Sequence, residues 1–263
     1  RKTPHAQGIR GIALELERMA NHVGDLGALS GDVAFQPAAA FFGRMRGECL
    51  NMLMMLSGNR YGRGLVRPGG VLFDLPSSMR SEIRGRLERL RDELEPTAAL
   101  LFHNASVQAR LEGIGVVTRA QCLDLGFVGP VARSCEVARD VRQNHSYGIF
   151  RFAHIPLTTA WAGDVHARTL VRWHEVRRSL AFVLEQIAAL PAGAPRVGCG
   201  ALRANELVVA MEEGWRGEIA HVVITNDRGD VRRHKVIDPS FHNWAAVALA
   251  AAGRVPVILD NYA

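Results

Sequence analysis

A chain of 263 residues can bury a full core, as one large domain or two small ones, and its 48% hydrophobic content with only 6% aromatics favours packed helices over stacked sheets. The formal charge of +6 is almost all arginine, with Lys2 and Lys235 the only lysines, and those arginines alternate with acids, a pattern of helix-face ion pairs that speaks against a nucleic-acid surface. No apolar run is long enough to cross a bilayer, and Cys49, Cys122, Cys135 and Cys199 form no CxxC, so structural zinc or iron–sulfur ligation is not indicated and buried, reduced thiols are expected.

In chain order, the first expected helix runs from about Gly8 to Leu29. Ile9, Ile12, Leu16, Met19, Val23 and Leu26 alternate spacings of three and four and form one apolar stripe. Glu15, Arg18, His22 and Asp25 repeat the same rhythm on another face. Periodicity alone fits a solvated face with internal ion pairs, or a buried row that must be fully paired. A second helix is expected over 38–58, closed by Gly58, with Met45, Met52, Met54 and Met55 read as core packing. The loop 59–76 carries a tight turn at Arg67-Pro68-Gly69-Gly70. Ser77 is read as the cap of a helix bearing Met79, Ile83, Leu87, Leu90 and Leu94, ended or kinked by Pro96, and more helix is expected as far as Arg110.

Signals from 111 to 163 are short and mixed. Asp164 then caps a long helix that stops at Pro191. Near the C-terminus the period changes: 206–213, 218–226 and 231–238 read as strands, the last two joined at "DRGD", and "FHNWAAVALAAAG" as a helix ending at Gly253. The expected fold is therefore mainly α, a multihelical bundle over 1–200 with a small C-terminal antiparallel β-sheet and terminal helix over 201–263. Within "HKVIDPSFHNW" (234–244), Asp238-Pro239 is a turn signal and Ser240, His242 and Asn243 cluster behind it. On residues alone a helix cap explains this stretch as well as a ligand site does.

Several stretches, "IRGIALELERMANHVGDLGALSGDVAF" (9–35), "SGNRYGRGLVRPGGV" (57–71), "GVVTRAQCLDLGFVGPVARSCEVARDVRQNHSY" (115–147), "GDVHARTLVRWHEVRRSL" (163–180) and "EEGWRGEIAHVVITNDRGDVRRHKVIDPSF" (212–241), resemble in order one superfamily: the large subunits of membrane-bound nickel–iron hydrogenases and the 49 kDa-type quinone-module subunit of respiratory complex I. The resemblance covers nearly the whole chain. It implies the C-terminal part of a longer subunit, inactive by itself, in an oxidoreductase complex with NADH dehydrogenase character, NAD and quinone binding. The implied partners are an iron–sulfur small subunit, other redox subunits and quinone, with membrane contact through those partners and no nucleic acid. The implied place is the cytoplasmic face of the inner membrane.

For the site, the resemblance implies that Ser240 and Asn243 stand where hydrogenases carry two metal-binding cysteines. A hydroxyl and a carboxamide cannot replace soft thiolates, so no metal is expected on this chain and Asp238 and Ser240 would wall a vacated metal cavity. It implies that Arg216 overlooks that cavity, although Trp215 replaces the family's proline; pairing of Arg216 with Glu213 or Glu218 is the plainer alternative. Asp32 matches an aspartate that in complex I subunits pairs with a quinone-binding histidine lying outside this chain; a simple turn or cap residue is the equal alternative. Glu15, Arg18 and His22 match a buried polar row, and Gly62 replaces a histidine found near the terminal cluster. No cofactor is expected to be bound by this chain itself, the quinone and cluster belonging to the intact complex. A non-catalytic scaffold or assembly protein derived from the same family is the alternative.

Overall fold

The computed structural model describes residues 2–252. Thr3 opens the first helix, α1 (Pro4–Asp32), by accepting a hydrogen bond from the Ala6 amide at 3.1 Å, with Pro4 pre-set in the first turn. That start adds a turn to the expectation, because the cap lies before the apolar stripe begins. α2 (Gln36–Ser57) follows and ends at Gly58, left-handed at φ 69°. The turn at Pro68-Gly69 joins a two-residue hairpin, β1 (Val66–Arg67) and β2 (Gly70–Val71), with Arg67 opposite Gly70.

α3 (Ser77–Phe102) corrects two expectations. Its N-cap is Pro76, and no side chain caps it; Ser77 is its first helical residue. Pro96 lies inside the helix and does not end it. The lost amide bond and ring clash of an interior proline cost about 3 kcal/mol. Burial of Leu90, Leu94, Ala98 and Leu101 on both sides of Pro96 is what carries the helix through. α4 (Ala105–Leu111) is capped by Asn104, whose Oδ1 accepts from the Val107 amide at 3.1 Å.

The mixed region resolves into α5 (Arg119–Leu125), α6 (Gly129–Ser134), α7 (Val141–Asn144) and a 3-10 turn at Gly148–Arg151. α8 (Val165–Ala189) is capped as expected: Asp164 Oδ1 accepts from the Ala167 amide at 2.7 Å. The other oxygen of Asp164 accepts from the Gly113 amide at 2.8 Å and ties the preceding loop to the helix start.

β3 (Leu207–Gly214), β4 (Gly217–Thr225) and β5 (Val231–Ile237) form an antiparallel meander in that order. In the first hairpin Gly214 faces Gly217, so Trp215 and Arg216 alone make the turn. α9 (Pro239–Ala252) closes the described chain; the expected stop at Gly253 lies outside the described residues. The molecule is helix-rich with a small C-terminal sheet.

α1 is the central element, packed on α2 and α8 and buried on nearly every side. Ile9, Ile12, Leu16, Met19, Val23 and Leu26 meet Phe42, Met45, Met52, Val176, Leu180 and Val183 in the main core. Met45 and Met52 are core residues as expected, but Met54 is exposed. A smaller cluster joins Phe127, Val131, Ala132 and the thiols of Cys122 and Cys135 to Ala246 and Ala250 of α9. Cys199, expected to be buried with the other thiols, is exposed.

Candidate functional site

The polar stripe of α1 is buried. Glu15, Arg18 and His22 are at most 1% exposed and Asp25 is 9% exposed. What buries them is a matching stripe on α8, where Arg168, Arg172, Glu175 and Ser179 follow spacings of four, three and four. The two helices run antiparallel along this seam and their stripes meet rung by rung. Ser179 Oγ donates to Glu15 Oε2 at 2.6 Å, His22 Nε2 lies 2.9 Å from Glu175 Oε2, and Arg172 Nε donates to Asp25 Oδ2 at 3.1 Å.

Residues of β3, α6 and α7 complete the network. Arg18 Nε donates to Glu15 at 3.1 Å, and its two terminal nitrogens reach the carbonyls of Gly214 and Glu213 at 2.9 and 2.6 Å, fastening the end of β3 to α1. Arg133 of α6 donates to Glu175 at 2.8 Å and to Glu213 at 2.8 Å. Arg142 of α7 bridges Glu15 at 3.1 Å and Asp140 at 2.6 Å. Buried charges persist only when paired in this way.

The proton affinities follow from the pairing. Burial alone would raise the Glu175 carboxyl, but Arg133, His22 and Arg18 overcome it and hold it well below the usual carboxylate range. Burial of Glu15 is likewise outweighed by Arg18 and Arg142, and burial of Asp140 by Arg142 and Arg133. Glu213 goes the other way: burial, with Asp140 adding to it, raises its carboxyl despite Arg133.

Arg216 sits at the β3–β4 turn, half-buried. The glutamates that could have neutralised it are taken, Glu213 by Arg133 and Glu218 by Arg139 at 2.8 Å, so the plainer pairing is not formed. Its guanidinium instead lies 3.8 Å above the Trp215 ring, and its Nε is buried without a hydrogen-bond partner among the described residues. Burial lowers its proton affinity, with Asp25 and Asp238 opposing.

The turn is held from two sides. Gly129, at φ 65°, lies against it so closely that a Cβ there would be 2.0 Å from the Arg216 carbonyl oxygen. Asn243 of α9, 1% exposed, accepts from the Val128 amide at 3.1 Å and donates to the Arg216 carbonyl at 3.4 Å. Asp238 is exposed and its Oδ1 accepts from the Ser240 amide at 2.8 Å, which is local capping of α9. Replacing Asn243 with alanine leaves the buried Val128 amide unpaired, and a loss of about 1–3 kcal/mol is expected in denaturant unfolding.

These residues do not fit a nickel–iron centre. Ser240 offers a neutral hydroxyl, and both polar atoms of Asn243 are engaged with backbone. Among the described residues no group of three His, Cys, Asp or Glu side chains converges as a metal site. Asp32 stands apart: it is exposed in the last turn of α1, and its side chain makes no hydrogen bond or ion pair with another described residue. Arg133, Asp140 and Arg142 are not singled out by the sequence patterns, Glu213 only as a possible partner of Arg216, and the α8 stripe not at all, although its spacing is legible.

Residues 32–204 match the family described as the respiratory-chain NADH dehydrogenase 49 Kd subunit. The carbon monoxide-induced hydrogenase of Rhodospirillum rubrum is 32% identical over 267 residues, covering 98% of this chain and 73% of that protein. A subunit of the NADH-quinone oxidoreductase of Anaplasma marginale is 30% identical over 279 residues, 96% of this chain and 70% of that one. A subunit of the F(420)H(2) dehydrogenase of Methanosarcina mazei is 29% identical over 252 residues, 92% and 67% respectively. The chain belongs to the superfamily of 49 kDa-type NADH dehydrogenase subunits and hydrogenase large subunits.

Proposed function

We propose that the chain is a subunit of a membrane-associated redox complex of the NADH:quinone oxidoreductase type. In this reading it contributes to electron transfer from an iron–sulfur partner to quinone and carries no nickel–iron site of its own. Relatives named as subunits of NADH-quinone oxidoreductase and of F(420)H(2) dehydrogenase support the class of complex. No helix among the described residues is long and apolar enough to cross a membrane, so membrane contact in this reading runs through partner subunits. The nicotinamide step, where NADH is the donor, belongs to the assembly.

The observation that carries the reading is the state of residues 238–244. Asn243, at one of the two thiolate positions, is spent on locking Val128 to Arg216, and Ser240 is a hard, weak donor. A hydrogenase reading is favoured by the Rhodospirillum relative, but this donor set opposes it. In the proposed role Glu15, Arg18 and His22 form a rigid polar seam behind the chamber. Arg216 presents a cation at its wall, and Asp32 faces the partner histidine and sets its protonation.

Asp32 is the residue to test, because it bears no load in the fold. In the intact complex, Asp32→Ala is expected to lower quinone reduction at least tenfold while subunit content and the unfolding midpoint stay unchanged. Unaltered turnover overturns the role of Asp32. Stoichiometric nickel in the purified complex, assigned to this subunit, overturns the absence of a metal site.

A further inference from the structure

On one face of the sheet two histidines from neighbouring strands meet. His221 of β4 and His234 of β5 are half-exposed and exposed respectively. Their rings stack at 21° with centroids 5.2 Å apart, and His221 Nδ1 lies 3.0 Å from His234 Nε2. The strand register fixes this meeting: His221 pairs with Val236 and His234 with Val223, so the two side chains are diagonal neighbours on one face.

We propose that this pair is a binding site for a divalent transition-metal ion such as zinc, with His221 Nδ1 and His234 Nε2 as ligands and water completing the shell. The spacing is the first argument. Two nitrogens each about 2.0–2.1 Å from one zinc ion at a tetrahedral angle stand about 3.3–3.4 Å apart. The observed 3.0 Å is within a few tenths of that. Neutral imidazole is the ligand form, so the proton shared between the two rings moves to the outer nitrogen of its own ring and no net proton is lost from a neutral pair.

Rigidity is the second argument. Both side chains stand on adjacent hydrogen-bonded strands of one meander, so bringing the ligands together costs little conformational entropy beyond the two side chains. Glu212 of β3 lies on the same face, diagonal to His221, with Lys2 and Arg10 close to it. His221 and Glu212 also line a cleft of about 350 Å³ together with Tyr147, Tyr61 and Arg10. An ion on the pair would therefore sit at the edge of that cleft. The site is independent of the redox reading above.

The test is titration of the metal-free full chain with zinc chloride, followed by calorimetry and by the histidine ring resonances. One ion per chain is expected, shifting the rings of His221 and His234, with a rise in unfolding midpoint that grows with free zinc. His221→Ala and His234→Ala, both at accessible positions, are each expected to weaken binding at least tenfold. His145→Ala, away from the pair, serves as the control and is expected to leave it unchanged. No saturable binding up to millimolar zinc overturns the proposal. So does binding that both pair substitutions leave intact.

Discussion

Replacing Glu175 with alanine is expected to cost about 3–5 kcal/mol in denaturant unfolding, the range for breaking a buried ion pair from one side. Glu175 is 3% exposed and is the shared anion of three partners: Arg133 at 2.8 Å, His22 at 2.9 Å and Arg18 at 3.7 Å. Its removal leaves Arg133, itself fully buried, with Glu213 and Asp140 as its remaining anions, while the seam between α1 and α8 loses its middle rung. Glu175→Gln keeps the volume and one acceptor but not the charge, so a smaller loss is expected. If the alanine variant unfolds within about 0.5 kcal/mol of the parent, as surface substitutions do, the seam does not stabilise the fold.

The same seam sets the acid response. Glu15, Asp140 and Glu175 have folded-state proton affinities below their unfolded values. Their stabilisation is therefore fully present above the unfolded carboxylate range, about pH 4, and is lost as pH falls through the lower folded values. Glu213 is raised, so its contribution has the opposite sign: it is fully present below the unfolded value and disappears as pH rises through the folded one. Three groups against one give a net loss on acidification, and Glu175→Gln is expected to flatten the profile.

Much of this arrangement is legible in the sequence, and the illegible parts share a physical cause. The spacing of Glu15, Arg18, His22 and Asp25 identifies a polar stripe, but one helix cannot reveal whether its stripe meets water or another helix. The deciding signal is the complementary spacing of Arg168, Arg172, Glu175 and Ser179, far along the chain. Only the two together exclude a solvated face. Arg133, Asp140 and Arg142 lie in or beside α6 and α7, helices of six and four residues, too short for a periodic signal. Pro96 reads as a breaker because local propensity disfavours it, and packing on both sides overrides that preference. The strands are readable within a residue of their ends, since the change of period and the turn at 227–230 are local. The partner-facing role of Asp32 depends on groups beyond this chain and rests on family resemblance.

Gly129→Ala is the substitution expected to couple fold to site most directly. Gly129 has φ 65°, a region that costs an L-residue about 1–2 kcal/mol. Its added Cβ would also meet the Arg216 carbonyl oxygen at 2.0 Å and the Arg216 carbonyl carbon at 2.5 Å, both backbone atoms of a two-residue turn that cannot yield separately. Overpacking of this kind adds about 1–3 kcal/mol, for a total of about 2–5 kcal/mol. Gly126 supplies the control: it has φ 70° but open space where a Cβ would go, so Gly126→Ala is expected to cost the conformational part alone, about 1–2 kcal/mol. The two variants should also differ in kind. Displacing the turn slides Arg216 off the Trp215 ring and strains the Asn243 bond, so Gly129→Ala alone is expected to change Trp215 emission and, in the assembled complex, to lower turnover. Equal losses in the two variants, with emission unchanged in both, would mean that α6 does not hold the turn and that Arg216 is positioned by its own strands.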